Sequence, residues 1–240
     1  MPARAAAQGS AGRRASSTRR GRFITFEGGE GAGKSTQVRR LAARLEELGL
    51  PVVVTREPGG SPGAEAIRHV LLAGAAKPLG PIAETTLFAA ARADHLDTTI
   101  RPALARGEWV ISDRFSDSTR AYQGATGHVA PELIESLEQI AVGDTRPDLT
   151  LILDLPAEEG LARAAARSGP GADRFESESI GFHRVLRERF LAIAAREPAR
   201  CAVIDARAAP EEVAEAIWRV VEERLKPAGR PAPRQRRGSA

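Results

Sequence analysis

Residues 28–35 read Gly28-Gly29-Glu30-Gly31-Ala32-Gly33-Lys34-Ser35 and match the phosphate-loop pattern G-x-x-x-x-G-K-[ST]. The mostly apolar residues 23–27 before the loop favour a short buried strand, and apolar residues recur at helical spacing over residues 35–48 after it. The loop therefore joins a strand to the N-terminus of a helix, where backbone N–H groups and the helix dipole stabilise phosphate oxygens. We expect Gly28 to Thr36 to bind the phosphates of ATP.

The last two residues of the pattern have separate roles. Lys34 is expected to bridge the β- and γ-phosphates, and the Ser35 hydroxyl is expected to hold Mg²⁺, the predicted cofactor. The histidines add no chemistry to this prediction, because none of them has a spacing typical of a catalytic or metal-binding site. We predict that all four pack against helices or lie at the surface: His69, His95, His128 and His183.

Positive charge is concentrated at the two ends of the 240-residue chain. Residues 1–22 contain six arginines, residues 226–240 contain four arginines and a lysine, and neither stretch has an acidic residue. The formal net charge is +4, so removing the +11 of the two ends leaves −7 for the residues between them. We predict disordered basic tails at 1–21 and 227–240. The acidic body argues against specific binding of nucleic acid by the folded part.

Three observations bear on where the protein works. No apolar run reaches the roughly 20 residues that a membrane-spanning helix needs. The N-terminal residues lack the apolar segment of a secretory signal. The single cysteine, Cys201, has no partner for an intramolecular disulfide, as is usual in a reducing compartment. We therefore expect a cytoplasmic protein that does not bind membranes.

Apolar runs alternate with helical patterns over residues 22–226. The predicted strands are 23–27, 52–55, 109–112, 149–155 and 201–205, and the predicted helices are 34–48, 62–73, 82–106, 131–142, 157–167, 178–196 and 210–225. Strands that are apolar on both faces are typical of a parallel sheet covered on both sides. The pattern predicts one α/β domain with the three-layer P-loop NTPase fold: a five-stranded parallel sheet flanked by helices, with a short mobile lid at about 163–176.

Arginines follow the predicted strands at the edge of the sheet where the loop lies. Arg56 follows the second strand and Arg114 the third, and three further arginines flank the predicted lid: Arg163, Arg167 and Arg174. Ligands of such sheets bind beyond the carboxyl ends of the strands. Guanidinium groups match phosphate oxygens, so the pattern indicates a kinase that holds a phosphorylated acceptor opposite ATP.

Five stretches of the chain together resemble the thymidylate kinase family over residues 22–226. They are residues 26–36, Thr55-Arg56-Glu57-Pro58-Gly59-Gly60, Leu87 to His95, Asp113 to Gly124, and Asp173-Arg174-Phe175-Glu176. The resemblance implies transfer of the ATP γ-phosphoryl to dTMP, giving dTDP for dTTP synthesis. It also implies a homodimer, with ATP and dTMP as the small-molecule partners.

The resemblance assigns one group of residues to the base and sugar of dTMP. It implies that Phe88 stacks on thymine, that Arg92 donates to a thymine carbonyl, and that Tyr122 packs against the sugar C2′. Glu30 would accept a hydrogen bond from the sugar 3′-hydroxyl, although many family members have aspartate there. The polar edge of the base would meet Ser118 or Thr119, with Gln123 close by.

A second group of residues is assigned to the phosphates. The resemblance implies that Arg56 and Arg114 clamp the acceptor phosphate and that Asp113 or Glu57 contacts Mg²⁺ through water. Some family members carry a catalytic cation inside the phosphate loop, but this chain has Gly31 there. The chain is therefore similar to the bacterial type, in which lid arginines supply the charge.

Within the lid we expect Arg167 and Arg174, rather than Arg163, to be catalytic together with Lys34 and Glu30. Two alternatives remain open at this point. One is a kinase for another pyrimidine monophosphate, and the other is a P-loop ATPase that acts with nucleic acid.

Overall fold

The computed structural model of the chain describes residues 20–126, 128–167, 175 and 177–228. The predicted tails at 1–21 and 227–240 fall almost wholly outside these residues, and so does most of the predicted lid. Of the two expected lid arginines, Arg174 and the side chain of Arg167 lie outside the described part.

The chain forms a five-stranded sheet in which every pair of neighbouring strands is parallel. Its strands are β1 (Phe23–Glu27), β2 (Val52–Arg56), β3 (Trp109–Asp113), β4 (Leu149–Asp154) and β5 (Cys201–Asp205), in the order β2-β3-β1-β4-β5. The central strand β1 is buried along its whole length, with Ile24 paired to Ile111 on one side and to Leu149 on the other. The predicted parallel sheet is thereby confirmed.

Helices cover both faces of this sheet. They are α1 (Lys34–Glu47), α2 (Pro62–Leu72), α3 (Pro81–His95), α4 (Arg101–Ala105), α5 (Ser116–Thr126), α6 (Pro131–Val142), α7 (Ala157–Arg167), α8 (Ile180–Arg196) and α9 (Pro210–Leu225). On one face, apolar residues of α1 and α9 pack against the strands in a single buried cluster. On the other face, two clusters join the strands to the segment around α4 and to α5 and α8. This is the predicted three-layer arrangement.

The long helix predicted at 82–106 is interrupted. Helix α3 ends at His95, a π-helical turn spans Leu96–Ile100, and α4 continues from Arg101. Pro102 explains the break, because it has no backbone N–H to donate to the carbonyl one turn earlier and its ring crowds that carbonyl.

Helix α5 was not predicted from the pattern. Its sequence is rich in serine, threonine and glycine, which favour turns and caps over helix interiors. The helix forms nonetheless, with Ala121 and Tyr122 packed against α8 and β4. Among the described residues, no helix has both the length and the apolar character needed to cross a bilayer.

The strand order places a crevice beside β1. After β3 the chain crosses to the opposite side of β1 to form β4, so the loops at the carboxyl ends of β1 and β3 diverge. Ligands of α/β sheets bind at such a switch point.

Candidate active site

A cavity of about 300 Å³ lies at the carboxyl ends of β1, β2 and β3. It is lined by the glycine loop and by side chains from α2, α3 and α5, and all eight residues expected to bind the acceptor contribute to its wall: Arg56, Phe88, Arg92, Arg114, Ser118, Thr119, Tyr122 and Gln123. Lys34 and Ser35 lie in the same wall. The volume is at the lower end of the range for small-molecule sites.

Two glycines give the loop its shape. Gly33 precedes α1 with φ of 87°, and Gly31 has φ of 68°, both in the left-handed region that glycine adopts without strain. A Cβ atom at residue 31 would lie 2.0 Å from the backbone oxygen of Gly160, so no side chain fits there. The loop of this chain therefore cannot carry a catalytic cation at residue 31.

Lys34 occupies the first turn of α1 and turns back over the loop. Its Nζ donates to the backbone oxygens of Gly28 at 3.1 Å and Gly29 at 2.7 Å. Burial and the neighbouring Arg114 charge lower the pKa of Lys34 to about 8, against the opposing effect of nearby carboxylates. The ammonium group is thus charged at pH 7 and held in a poorly solvated position, where its field on a phosphate is strong.

A hydroxyl and a carboxylate meet at the other side of the loop. Ser35 Oγ donates to Asp113 Oδ2 at 2.5 Å. Mg²⁺ prefers oxygen ligands and usually takes one or two from the protein, with the rest from phosphates and water. This pair fits Mg²⁺ in that role, and no group of three acidic, histidine or cysteine side chains in the described part of the chain is placed to hold a metal.

Glu57, the other residue suggested for the metal, also lines the cavity, but its carboxylate is turned toward α3. Its two carboxylate oxygens accept hydrogen bonds from Arg92 and His95, and it is buried. The structure therefore favours Asp113 over Glu57 as the carboxylate beside Ser35.

Arg114 and Glu30 form the centre of the cavity wall. Arg114 follows β3 in a left-handed conformation with φ of 70°, which is uncommon for a residue with a side chain. Its Nη2 donates to Glu30 Oε1 at 2.7 Å, and Tyr122 donates to the same oxygen at 2.5 Å. Burial alone would raise the pKa of Glu30, but the charges of Arg114 and Lys34 and the tyrosine hydroxyl outweigh it and hold this pKa at about 2. The carboxylate is thus ionised at physiological pH, as an acceptor must be.

The far end of the cavity presents one flat ring and one guanidinium group. Phe88 and Arg92 lie one helical turn apart on α3 and both line the cavity. Arg92 Nη2 donates to Thr119 Oγ1 at 2.9 Å, which joins α3 to α5. Such a wall suits a planar base with a carbonyl at its edge.

The positions of Arg56 and Arg163 differ from what the sequence suggests for a phosphate clamp and a lid. Arg56 lines the cavity but is 56% exposed and is paired with Glu65, with 3.0 Å between Nη2 and Oε1. Arg163 lies near the loop after β5, where its Nη1 donates to the Ala206 carbonyl at 2.9 Å. It lines a second pocket on the outer side of the glycine loop, so it is placed away from the acceptor cavity.

Sequence reasoning missed several residues of the wall, two of them on α2. Arg68 and Leu72, spaced by four on α2, both line the cavity. The i, i+4 spacing of a cation and an apolar residue just after the Arg-Glu-Pro-Gly-Gly stretch was the available signal.

Glu27 was also missed, although it is a lone acid at the end of a buried strand. It is fully buried and accepts hydrogen bonds from the Phe115 backbone at 2.8 Å and from Ser118 Oγ at 2.6 Å. Ser118 Oγ lies 3.3 Å from Arg114 Nη1, so Glu27 braces the turn that carries Arg114. Burial, together with the nearby Asp117 charge, raises the pKa of Glu27 to about 8.

This shift predicts a measurable pH dependence of stability. The folded state keeps a proton on Glu27 up to about pH 8, whereas in the unfolded chain Glu27 loses it near pH 4.5. The stabilisation is therefore complete below the lower value and is lost as the pH rises to 8, at a slope of up to about 1.4 kcal/mol per pH unit. Glu27→Gln should remove this component, because the neutral amide has nothing to titrate.

Urea unfolding at pH 5, 6, 7 and 8 measures the difference. The exposed Glu135, which lies on α6, gives a matched control in Glu135→Gln. Parallel pH profiles for the wild type and Glu27→Gln would contradict the assignment.

Fold and cavity together define the class of this protein: a P-loop phosphotransferase with space for a phosphorylated acceptor. A family model described as Thymidylate kinase matches residues 26–217. The chain belongs to the thymidylate kinase family, whose known reaction is the ATP-dependent phosphorylation of dTMP.

Individual relatives agree with the family match. The chain is 66% identical over 208 residues to a thymidylate kinase of Rhodopseudomonas palustris strain TIE-1, covering 86% of this chain and 90% of that protein. It is 61% identical over 207 residues to one from Bradyrhizobium sp. strain BTAi1, covering 86% and 92%. A crystal structure of thymidylate kinase from Ehrlichia chaffeensis matches with a TM-score of 0.68 and 33% identity, over 84% of this chain and 98% of that one. The family, fold and kinase class predicted from the sequence are confirmed.

Proposed function

We propose that this chain transfers the γ-phosphoryl group of ATP to the 5′-phosphate of dTMP in a single in-line step. The observation that carries the proposal is one cavity with Lys34 and Ser35 at one end and Phe88 and Arg92 at the other. Arg114 lies between these ends. A cavity of this kind holds a donor and an acceptor with their phosphates facing each other.

The acceptor is positioned by contacts of three kinds. Phe88 offers a ring face to the base, and Arg92 offers N–H donors to a carbonyl at its edge. Glu30 Oε1 accepts from Arg114 and Tyr122, and within the described part of the chain Oε2 accepts no hydrogen bond, so it can accept one from the sugar 3′-hydroxyl. Arg114 and the more exposed Arg56 supply guanidinium groups for the acceptor phosphate.

Phosphoryl transfer then depends on charge neutralisation and alignment. The attacking phosphate oxygen is already ionised, so no side chain has to remove a proton. Lys34 and Arg114 place fixed positive charge in a poorly solvated site, where it stabilises the negative charge that spreads over the transferred group. Ser35 and Asp113 would hold Mg²⁺, which when bound supplies further positive charge at the β- and γ-phosphate oxygens. Arg167 and Arg174 are proposed to supply the lid charge, since residue 31 cannot.

An assay with a panel of acceptors tests the proposal. We expect ADP formation from ATP with dTMP to exceed that with dUMP, UMP, CMP, AMP or GMP. A preference for another pyrimidine monophosphate would replace the acceptor in this proposal. ATP hydrolysis that needs no acceptor and is stimulated by DNA would overturn it in favour of an ATPase acting with nucleic acid.

Tyr122 is expected to exclude ribonucleotides. The side chain is 7% exposed, and its ring is held by an edge contact with Phe175, with 5.1 Å between ring centroids. A rigid ring against the sugar leaves no space for a 2′-hydroxyl. Tyr122→Ala should therefore lower the preference in kcat/KM for dTMP over its ribose counterpart by about tenfold, the size of effect that one small group has in a tight pocket.

Tyr122→Phe is the control, because it keeps the ring and removes the hydroxyl that donates to Glu30. We expect it to retain most of the preference. An unchanged ratio in Tyr122→Ala would refute the proposed steric role.

We also propose a homodimer of single-domain chains (residues 22–226, with tails 1–21 and 227–240 outside the domain) that works in the cytoplasm. Exposed apolar side chains on α2, α3 and the turn between them support an interface there: Val70, Leu79 and Ile82. They lie on elements beside the acceptor cavity. A mass near 25.5 kDa by sedimentation velocity, that of one chain, would contradict the dimer. Fractionation of cells that express the protein would test the location.

A further inference from the structure

A chain of hydrogen bonds leads from Arg92 back to the sheet, buried up to His95 and partly buried at Thr55. Arg92 Nε donates to Glu57 Oε2 at 2.8 Å, and Glu57 Oε1 lies 3.1 Å from His95 Nδ1. His95 Nε2 lies 2.7 Å from Thr55 Oγ1 on β2. Arg92, Glu57 and His95 are all buried, and His95 has no exposed surface.

The hydrogen bonds fix where each proton lies. An ionised carboxylate only accepts, so His95 Nδ1 must carry the hydrogen that points at Glu57. With the ring neutral, Nε2 accepts from the Thr55 hydroxyl, and every polar atom of the imidazole is satisfied. The tautomer of His95 is therefore set by Glu57, and the Thr55 hydroxyl, which can donate or accept, completes the hydrogen bonding of the ring at Nε2.

The turn after β2 packs closely against Thr55 and His95. A Cβ atom added at Gly60 would lie 2.3 Å from Thr55 Oγ1 and 2.4 Å from His95 Nε2. The backbone of Gly60 thus packs closely against the hydrogen bond between them and restricts the movement of the buried His95 ring.

This arrangement immobilises the guanidinium group. Arg92 is held at Nε by Glu57 and at Nη2 by Thr119, and it lies over the Phe115 ring at 5.3 Å. Within the described residues no hydrogen bond is made by Nη1, which leaves this nitrogen for the ligand in the cavity that Arg92 lines. A guanidinium group fixed in its own plane presents its free donors in one direction only.

We propose that His95 and Thr55 are positioning residues that aim Arg92, through Glu57, at a carbonyl of the acceptor base. They thereby contribute to selection of a base with a carbonyl at that edge over one with an amino group. The inference rests on the proposed function, because it assumes a pyrimidine monophosphate in the cavity. A donor aimed in one direction pairs with a carbonyl, whereas an amino group there would place donor against donor and leave both unpaired.

Kinetics of four variants with dTMP and with dCMP test the proposal. In His95→Leu both ring contacts are lost, and we expect KM for dTMP to rise about tenfold, as for other residues that orient a ligand-binding group. The preference in kcat/KM for dTMP over dCMP should fall by a similar factor, and KM for ATP should stay within about twofold. His95→Asn, whose amide can replace the Nδ1–H donor to Glu57, should recover most of the loss. Thr55→Val should give a smaller loss of the same kind, and Thr55→Ser should behave as the wild type.

A buried threonine elsewhere in the sheet provides the control. Thr25 Oγ1 is hydrogen bonded to Thr150 Oγ1 at 2.8 Å on the central strand, away from Arg92. Thr25→Val removes a strand hydroxyl, as Thr55→Val does, and should leave the dTMP-to-dCMP preference unchanged. A purely structural role of the network would lower the melting temperature or lower kcat with both acceptors equally.

The outcomes separate this inference from the proposed function. A folded His95→Leu enzyme with unchanged KM for dTMP and unchanged preference would overturn the inference alone. If His95→Leu does not fold, Thr55→Val is compared with Thr55→Ser. The KM for dTMP and the preference for dTMP over dCMP then decide the question. A wild-type enzyme that does not phosphorylate dTMP would overturn both.

Discussion

Replacing Lys34 with methionine is expected to lower kcat for dTMP phosphorylation by about 10³-fold, the upper range for losing one preorganised donor at a transition state. Methionine keeps most of the length and apolar stem of the side chain. It removes the only lysine in the cavity wall, whose Nζ now binds the Gly28 and Gly29 carbonyls at the bend of the loop. Steady-state and single-turnover assays at saturating ATP measure the loss in the chemical step.

The chain offers a matched control in Lys77, which is exposed on the short turn between α2 and α3. Lys77→Met should have wild-type kinetics. If Lys34→Met retained more than a tenth of wild-type kcat, the cavity would not be the site of phosphoryl transfer.

Replacing Arg114 with alanine is expected to raise KM for dTMP by about 100-fold, in keeping with the loss of two charge-assisted hydrogen bonds at about 1.5 kcal/mol each. The change also leaves Glu30 without its strongest partner, so the acceptor phosphate would approach an unneutralised carboxylate. KM for ATP should change by less than about threefold, because the donor phosphates are held mainly by backbone amides of the loop.

Two further variants test whether the rise in KM for dTMP comes from losing the Arg114 guanidinium group. Arg114→Lys keeps the charge and loses the forked geometry, so it should recover only part of the loss. Arg106→Ala removes an arginine that is paired with Glu108 far from the cavity, and it should have no effect. Equal increases in KM for dTMP and ATP in Arg114→Ala would contradict the assignment of this residue to the acceptor.

The fold was predictable because the local signals agreed with each other. Each strand is a short apolar run, and the order of elements leaves few ways to cover a parallel sheet on both faces. Two predictions were wrong, the uninterrupted helix at 82–106 and the absence of α5, and each error has a local cause. Pro102 lies in an otherwise continuous helical pattern, and α5 takes its stability from packing on α8 rather than from its composition.

The site was predictable where a motif lies in one continuous stretch. The glycine loop, Arg114 and Tyr122 belong to such stretches, and they do meet in one cavity. The roles assigned to Arg167 and Arg174 stay predictions.

The buried network behind Arg92 could not have been predicted. A single histidine at helical spacing is most often a packed residue, and its partners Thr55 and Glu57 lie 40 and 38 residues earlier in the chain. Only the tertiary fold, which places the carboxyl end of β2 beside the end of α3, brings them together. Glu27 is similar, because its partners Phe115 and Ser118 lie 88 and 91 residues away.

The order of the strands also bears on how such an enzyme evolves. Most side chains that face the acceptor come from the segments after β2 and β3, whereas Arg163 and the loop after β5 lie beside the outer pocket on the other side of the central strand. Within the described residues, Arg163 and the loop after β5 do not line the acceptor cavity, so substitutions at Phe88 or Arg92 leave the lining of the outer pocket unchanged. Substitutions in α3 and α5 can therefore change the choice of nucleobase during evolution without altering the side chains of the outer pocket.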